Sequence, residues 1–267
     1  MTIRTEITST KNPLVRRVRE TAAGENAGEI ALDGVRLAWE ALASERPIRV
    51  CAVSSRLTEV RGGHDLRSRL QARSDEWYEC SEAVMARMSS VDAPQGVILI
   101  VERAPDELDF VLADRGVTPL VVAASGVRDP GNTGALVRTA EAAGATGFVA
   151  LRGGADPLRD KAIRGSAGSV LRLPIARDVT TESFVARVRD LGSRLVVATG
   201  DGDVAYTDTD FRAPTVLVVG AEAQGIPAQL RDAADACVQI PIAPPVESLN
   251  VAVAAGVLLF EARRQRG

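Results

Sequence analysis

Three loops of the chain concentrate the side chains whose types suit catalysis. The first, SGVRDPGNTGALVR, carries Asn132 and Arg138; the second, GAEAQG, carries Glu222; the third, VESLN, carries Ser248 and Asn250. Amide, hydroxyl and guanidinium groups at the start of a helix favour an oxygen-rich ligand or a developing negative charge. A carboxylate nearby would orient the arginine. The set therefore predicts a site for an oxygen-rich ligand or a developing negative charge.

Each loop taken alone also has a plainer interpretation. Arg138 is then a surface charge, GAEAQG a turn, Ser248 a helix N-cap and Asn250 surface polarity. The chain lacks a G-x-G-x-x-G motif after the first predicted strand of its second half, and it lacks the P-loop motif G-x-x-x-x-G-K-[ST]. A dinucleotide site and a P-loop are therefore without their main sequence evidence. The single histidine, His64, and three scattered cysteines argue against a histidine triad, a metal site or a disulfide.

Composition sets the class of protein. Apolar residues make up 46% of the chain, and no apolar run reaches the roughly 18 residues of a membrane span. No stretch resembles a signal peptide, so we expect a cytoplasmic protein of one large or two ordinary domains. The net charge of −3 argues mildly against nucleic-acid binding, but both ends are basic: Arg4, Lys11, Arg16, Arg17 and Arg19, then Arg263, Arg264 and Arg266.

The first hundred residues predict a small α/β domain. Asn12-Pro13 starts a basic amphipathic helix, and EIALDGVRLAWEALA predicts a strand, a turn at Asp33-Gly34 and a helix. IRVCAVS and WYECS predict strands on either side of a polar segment. SEAVMARMSS predicts a helix, and the unbroken apolar run VILIVE is typical of a central strand.

The second half alternates strands with helices, which predicts a mostly parallel sheet covered on both faces. The predicted strands are VTPLVVAAS, TGFVAL, VLRLPI, RLVVATG, TVLVVG and Val238–Ile242. GNTG predicts a turn before a helix, and Leu249–Phe260 predicts a helix that is apolar on nearly every face and must be covered all round. Ligands of such sheets bind at the carboxyl ends of strands, where all three loops lie.

In this order, DPGNTGALVRTAEAAGA, VVGAEAQGIP and IPIAPPVESLNVAVAAGVLLFE resemble the three motifs of the SpoU (TrmH) family of SPOUT RNA methyltransferases. ITSTKNPLVRRV, ALDGVRLAWEAL and APQGVILIVE resemble the family's ribosomal-protein-like domain, with Asp33 where relatives commonly have glutamate. The resemblance implies an α/β chain: an RNA substrate-binding domain at 1–105 and a trefoil-knotted, parallel-sheet methyltransferase domain at 106–267.

The function that the resemblance implies is methyl transfer from S-adenosylmethionine to a ribose 2′-hydroxyl of RNA, with ribosomal RNA as the expected substrate. It also implies a homodimer. No metal is expected, because the three cysteines and the single histidine show no metal-ligand spacing. Two alternatives stay open: a transfer-RNA ribose methyltransferase, and a non-catalytic RNA-binding or antibiotic-resistance accessory protein. The presence of all four residues Arg138, Glu222, Ser248 and Asn250 argues against the non-catalytic alternative.

The resemblance also assigns roles to individual residues. The catalytic set comprises Arg138, Asn132, Glu222, Ser248 and Asn250. The cofactor contacts comprise Thr199, Gly220, Ile240 and Leu249. The RNA contacts comprise Lys11, Arg16 and Arg164, and Arg164 occupies the position from which a basic side chain reaches the active site of the partner protomer.

Overall fold

The computed structural model describes residues 4–26, 28–221 and 225–267, and of residues 4–6 only the backbone. The chain forms two compact units. Unit 1 comprises Met1–Ala104 with Leu158–Arg172, and unit 2 comprises Pro105–Pro157 with Leu173–Gly267. The division of function at residue 105 stays a prediction.

Unit 1 is a five-stranded mixed sheet with helices. Its strands stand in the order β1-β4-β3-β5-β2, with β5 antiparallel to both of its neighbours. The apolar run VILIVE is therefore an interior strand, as predicted. The elements are β1 (Arg4–Ile7), α1 (Pro13–Ala22), β2 (Glu29–Asp33), α2 (Val35–Ala43), β3 (Ile48–Val53), α3 (Arg56–Glu59), α4 (Gly63–Arg73), β4 (Ser74–Cys80), α5 (Glu82–Met88) and β5 (Val97–Glu102).

Helices α3 and α4 lie in the polar segment between β3 and β4, for which the sequence pattern predicted no helix. Their charged residues hide three leucines, Leu57, Leu66 and Leu70, which are fully buried. The start of α1 is as predicted, because the Asn12 side chain accepts a hydrogen bond from the Leu14 amide and Pro13 occupies the first turn.

The segment 158–172 supplies unit 1 with α8 (Asp160–Ser166) and a 3-10 turn, Ser169–Leu171. The predicted strand VLRLPI was wrong. Ala167 and Gly168 take left-handed backbone conformations, which end α8. Val170 and Leu171 are buried, but they belong to the 3-10 turn and not to a strand. The strand of this region begins only at Ile175.

Unit 2 is a seven-stranded sheet in which every strand pair is parallel, in the order β10-β12-β9-β11-β6-β7-β8. The predicted parallel sheet is confirmed; the trefoil knot stays a prediction. The elements are α6 (Leu108–Leu112), β6 (Leu120–Ser125), α7 (Pro130–Ala142), β7 (Gly147–Leu151), β8 (Ile175–Val179), α9 (Thr181–Asp190), β9 (Arg194–Ala198), β10 (Val204–Ala205), β11 (Thr215–Gly220), α10 (Ala228–Asp232), β12 (Ala236–Gln239) and α11 (Val251–Arg266).

Two predicted boundaries in unit 2 were wrong. The GNTG segment is not a turn, because Asp129 accepts a hydrogen bond from the Asn132 amide and starts α7 at Pro130. Strand β12 ends at Gln239 instead of Ile242, because its neighbour β10 has only two residues and ends opposite Gln239.

Helix α11 packs beside α7 and closes unit 2. A Cβ atom on Gly256 would lie 3.5 Å from the Thr139 methyl group, and Arg263 donates to the Ala142 carbonyl at the end of α7. The helix is not covered all round: Val253 and Phe260, seven residues apart, are about half exposed. No helix within the described residues combines the length and apolarity needed to cross a membrane.

Candidate active site

A cavity of about 210 Å³ lies at the carboxyl ends of β9, β11 and β12. The segment before α11 and the first turns of that helix complete its wall. All four predicted cofactor residues, Thr199, Gly220, Ile240 and Leu249, line it. The sheet topology explains this convergence, because the ends of neighbouring parallel strands meet at one edge.

Gly220 is needed where β11 ends because the chain returns close to it. A Cβ atom there would lie 2.5 Å from the Ile226 Cδ1 atom and 3.1 Å from the Gly225 carbonyl oxygen. The Ala221 amide donates to the Ser125 carbonyl, and the Gly225 amide donates to the Ala221 carbonyl, which closes the loop. Glu222 belongs to this loop and lies outside the described residues.

The cavity wall is mostly apolar, and a small number of polar groups break it. Val219, Ile226 and Ile242 contribute apolar side chains beside Ile240 and Leu249. The Thr199 hydroxyl is buried, and it has no well-aligned hydrogen-bond partner among the described residues. An apolar cleft with a few convergent polar groups is the usual form of a small-molecule site.

Two of the predicted catalytic residues are joined by a hydrogen bond. The Asn250 amide nitrogen donates to the Asn132 side-chain oxygen over 3.0 Å, which links the start of α11 to the first turn of α7. The Asn250 oxygen accepts from the Ala252 amide at 3.0 Å, so Asn250 is the N-cap of α11. The interpretation of Ser248 as the N-cap is therefore wrong.

Ser248 precedes that cap and lines the cavity with its neighbour Leu249. Its side chain is exposed. One short segment therefore carries a predicted cofactor residue, a hydroxyl and the amide that bonds Asn132.

Arg138 lies on the exposed surface of α7, six residues after Asn132. Six residues correspond to a rise of about 9 Å and leave Arg138 about a third of a turn around the helix axis from Asn132. Among the described residues, no hydrogen bond or ion pair of Arg138 is found. The guanidinium is thus placed at the flank of the α7–α11 contact and is open to an anionic partner.

The predicted RNA contacts lie in unit 1. Lys11 is exposed in the loop after β1, and Arg16 is exposed on α1, where its Nε atom lies 3.7 Å from a Glu20 carboxylate oxygen. Arg164 belongs to α8, where its Nη1 atom donates to Ser90 at 2.8 Å and pairs with Asp160.

Sequence reasoning missed three charged residues of the cavity wall, Asp201, Glu247 and Arg231. Asp201 follows Thr199 closely in a polar loop after a buried strand, which is a usable signal. Arg231 has the pattern of an ordinary surface residue on a short helix, so nothing in the sequence marks it.

Two family models match successive parts of the chain. The sequence model of the SpoU rRNA Methylase family matches residues 119–260, and that of the MRM3-like substrate binding domain matches residues 14–99. An uncharacterized tRNA/rRNA methyltransferase of Synechocystis is 34% identical over 97% of this chain and 94% of its own length. The chain belongs to the SpoU family.

Solved structures of this family superpose on almost the whole SpoU chain. The AdoMet-bound rRNA methyltransferase of Sinorhizobium meliloti is 33% identical, covers 98% of both chains and gives a TM-score of 0.80. The SpoU methyltransferase AviRb of Streptomyces viridochromogenes, in complex with AdoMet, is 29% identical, covers 96% of this chain and 98% of its own, and gives a TM-score of 0.83. The SpoU family assignment thus includes the SPOUT methyltransferase fold, and the chain is an RNA methyltransferase.

Proposed function

We propose that this SpoU methyltransferase modifies a ribose 2′-hydroxyl of ribosomal RNA in a site formed by the cavity, the Asn132–Asn250 pair and Arg138. The hydrogen bond between Asn132 and Asn250 carries the proposal. It fixes the segment that contains Ser248 and Leu249 against α7, the helix that bears Arg138.

S-adenosylmethionine is the cofactor, and it supplies an electrophilic methyl group. The chemical character of the cavity lining suits this cofactor. Its mostly apolar wall suits adenine, and the buried Thr199 hydroxyl and Gly220 line it. Gly220, Ile240 and Leu249 are the residues proposed to hold the nucleoside.

The chain's own residues must position a weak nucleophile and stabilise its charge. A ribose hydroxyl reacts poorly until its proton begins to leave, so a nearby guanidinium lowers the barrier by stabilising the developing alkoxide. Arg138 takes this role and contacts the adjacent phosphate. Because arginine stays protonated, a phosphate oxygen or water accepts the proton.

The remaining members of the catalytic set are assigned by their chemistry. Ser248 and Asn250 position the ribose by hydroxyl and amide hydrogen bonds. Asn132 braces Asn250, and Glu222, which lies outside the described residues, orients the Arg138 guanidinium. None of these groups needs to change its protonation state.

Ribosomal RNA is favoured over transfer RNA by the extent of the structural match. The rRNA methyltransferase of Sinorhizobium covers 98% of this chain and therefore includes the N-terminal unit. Lys11, Arg16 and Arg164 are proposed RNA contacts of that unit. Mapping ribose methylation in RNA of a deletion strain tests this: a ribosomal site lost on deletion and restored by the gene supports the proposal, and a lost transfer-RNA site contradicts it.

A homodimer accounts for the apolar surface of α11. Val253 and Phe260 are about half exposed, and burial of this stripe against a second copy would remove it from water. Sedimentation should show a dimer that Phe260→Glu dissociates. A wild-type monomer at micromolar concentration would contradict the proposal.

A further inference from the structure

An ion pair stands on the wall of the cavity. The Arg231 Nη2 atom on α10 donates to the Asp201 Oδ2 atom over 2.9 Å, and both residues line the cavity together with Leu249. Their side chains are 40% and 69% exposed. An exposed pair of this kind adds little to the stability of a fold, so its position in the cavity calls for another explanation.

The loop that carries Asp201 contacts β12 at residues before and after Asp201. The Thr199 amide donates to the Val238 carbonyl at 2.9 Å. A Cβ atom on Gly202 would lie 2.6 Å from the Val238 carbonyl carbon and 2.8 Å from the Cys237 oxygen, so the backbones touch there. Asp201 is thereby fixed beside the cavity independently of its ion pair.

The charge of Asp201 is also secured. Arg231, and to a smaller degree the nearby Thr199 hydroxyl, hold the pKa of the Asp201 carboxyl below its usual range. The bond to Asp201 uses one of the five N–H groups of the Arg231 guanidinium. The pair therefore offers a fixed anion and further cationic donors at one place on a mostly apolar wall.

This arrangement is complementary to one end of the cofactor. The adenosine of S-adenosylmethionine carries no formal charge, whereas its amino-acid tail carries an ammonium and a carboxylate. We propose that Arg231 and Asp201 bind this tail, with the guanidinium toward the carboxylate and the aspartate toward the ammonium. The assignment rests on the proposed function, because it requires the cofactor to occupy this cavity.

Two ligands allow binding of the amino-acid tail to be measured apart from binding of the nucleoside. S-adenosylhomocysteine has the amino-acid tail, and 5′-methylthioadenosine has the same adenosine and thioether without it. Calorimetry on the full chain should show that Arg231→Ala and Asp201→Asn each weaken S-adenosylhomocysteine binding by about tenfold or more, as loss of a charged hydrogen bond predicts. Binding of 5′-methylthioadenosine should change less than about twofold.

Arg212→Ala is the matched control. Arg212 pairs with Asp210 at the same 2.9 Å distance, and neither residue lines the cavity. It should alter the binding of neither ligand. Equal weakening of both ligands by Arg231→Ala and Asp201→Asn would assign the pair to the adenosine, and no weakening of either would remove it from the site; each result overturns the proposal.

Gly200→Leu distinguishes this failure from a failure of the cavity itself. Gly200 lines the cavity, and a Cβ atom there would meet nothing within 4 Å, so the fold should tolerate the side chain. The variant should weaken both ligands. If its thermal unfolding and both affinities match wild type, the cofactor binds elsewhere, and the proposed placement fails together with the tail assignment.

Discussion

Individual arginines on the two units illustrate two different uses of a guanidinium. In unit 1, Arg17 pairs with Glu29 and Glu76, and Arg49 pairs with Asp75 and Glu102. In unit 2, Arg138 has no partner among the described residues, although it lies on a helix packed beside α11. A guanidinium held between two carboxylates is already neutralised, whereas an unpaired one is available to a substrate anion. The contrast indicates which cations serve the fold and which are available for the reaction.

The ends of the chain refine this contrast. Both termini are basic in sequence, yet Arg266 donates to four backbone carbonyls, those of Phe211, Thr118, Pro119 and Ala213. Arg263 donates to Ala142, and Arg264 pairs with Glu261. Arg263 and Arg266 therefore anchor α11, and Arg264 pairs within the helix. The exposed Lys11 and Arg16 of unit 1 are the better candidates for contact with phosphate.

The largest effect should come from the free arginine. Arg138→Ala should lower methyl transfer by on the order of 100-fold, as does loss of one donor to an oxyanion, and leave calorimetric cofactor binding unchanged. Arg138→Lys should rescue poorly because an ammonium lacks the planar fork. Wild-type turnover by the alanine variant would remove Arg138 from the mechanism.

A smaller effect should follow from the exposed cations of unit 1. Lys11→Ala with Arg16→Ala should weaken RNA binding for all sequences alike and reduce the slope of log affinity against log salt by about two, one for each phosphate contact. The paired Arg49→Ala is the control and should leave the slope unchanged. A double variant with the wild-type slope would move the RNA contact elsewhere.

The Asn132–Asn250 bond should contribute more to activity than to stability. Serine caps a helix about as well as asparagine but is too short to reach Asn132, so Asn250→Ser should change the free energy of unfolding by less than about 0.5 kcal/mol. Turnover should fall roughly fivefold, the equivalent of one hydrogen bond of about 1 kcal/mol. If Asn250→Ser matched wild type in both turnover and stability, the hydrogen bond to Asn132 would have no role in the reaction.

The smallest effect should appear in unit 1 and depend on pH. The Tyr78 hydroxyl, followed by Arg17, holds the pKa of Glu76 below its usual value. A lowered carboxyl pKa stabilises the fold above the unfolded pKa, and this stabilisation is lost as the pH falls through the folded pKa. Tyr78→Phe should therefore cost about 0.5 to 1 kcal/mol at pH 7, after allowance for solvent exposure, and almost nothing at strongly acidic pH. A cost that is independent of pH, measured by denaturant unfolding, would contradict this.

Much of the fold follows from local patterns, and the failures have local causes. The strand–helix alternation of unit 2 is readable because each buried strand is a continuous apolar run. VLRLPI misleads because its apolar residues also suit a short helical turn once Ala167 and Gly168 take left-handed conformations. The sequence of α3 and α4 misleads because their buried leucines, Leu57 in α3 and Leu66 and Leu70 in α4, stand among charged residues.

The site divides in the same way. Gly220, Ile240 and Leu249 lie in motifs that the sequence displays, and the sheet edge brings them together. Arg231 reaches the cavity only through the fold, from a short helix with no motif. In unit 1, the sequence pattern also did not predict that the Asp33 side chain is partly buried. Its carboxylate accepts hydrogen bonds from the Ser89 hydroxyl and the Ser90 amide, and burial raises the pKa of Asp33.

The most direct test of the proposed reaction is the position of the transferred methyl group. Full-length protein, isotopically labelled S-adenosylmethionine and ribosomal RNA from a deletion strain would be incubated, and the RNA would be hydrolysed by alkali and by nuclease. A ribose 2′-O-methyl group blocks alkaline cleavage of the adjacent phosphodiester. The account predicts label in an alkali-resistant dinucleotide that yields a 2′-O-methylated nucleoside, and label in a nucleobase with ordinary alkaline cleavage would contradict it.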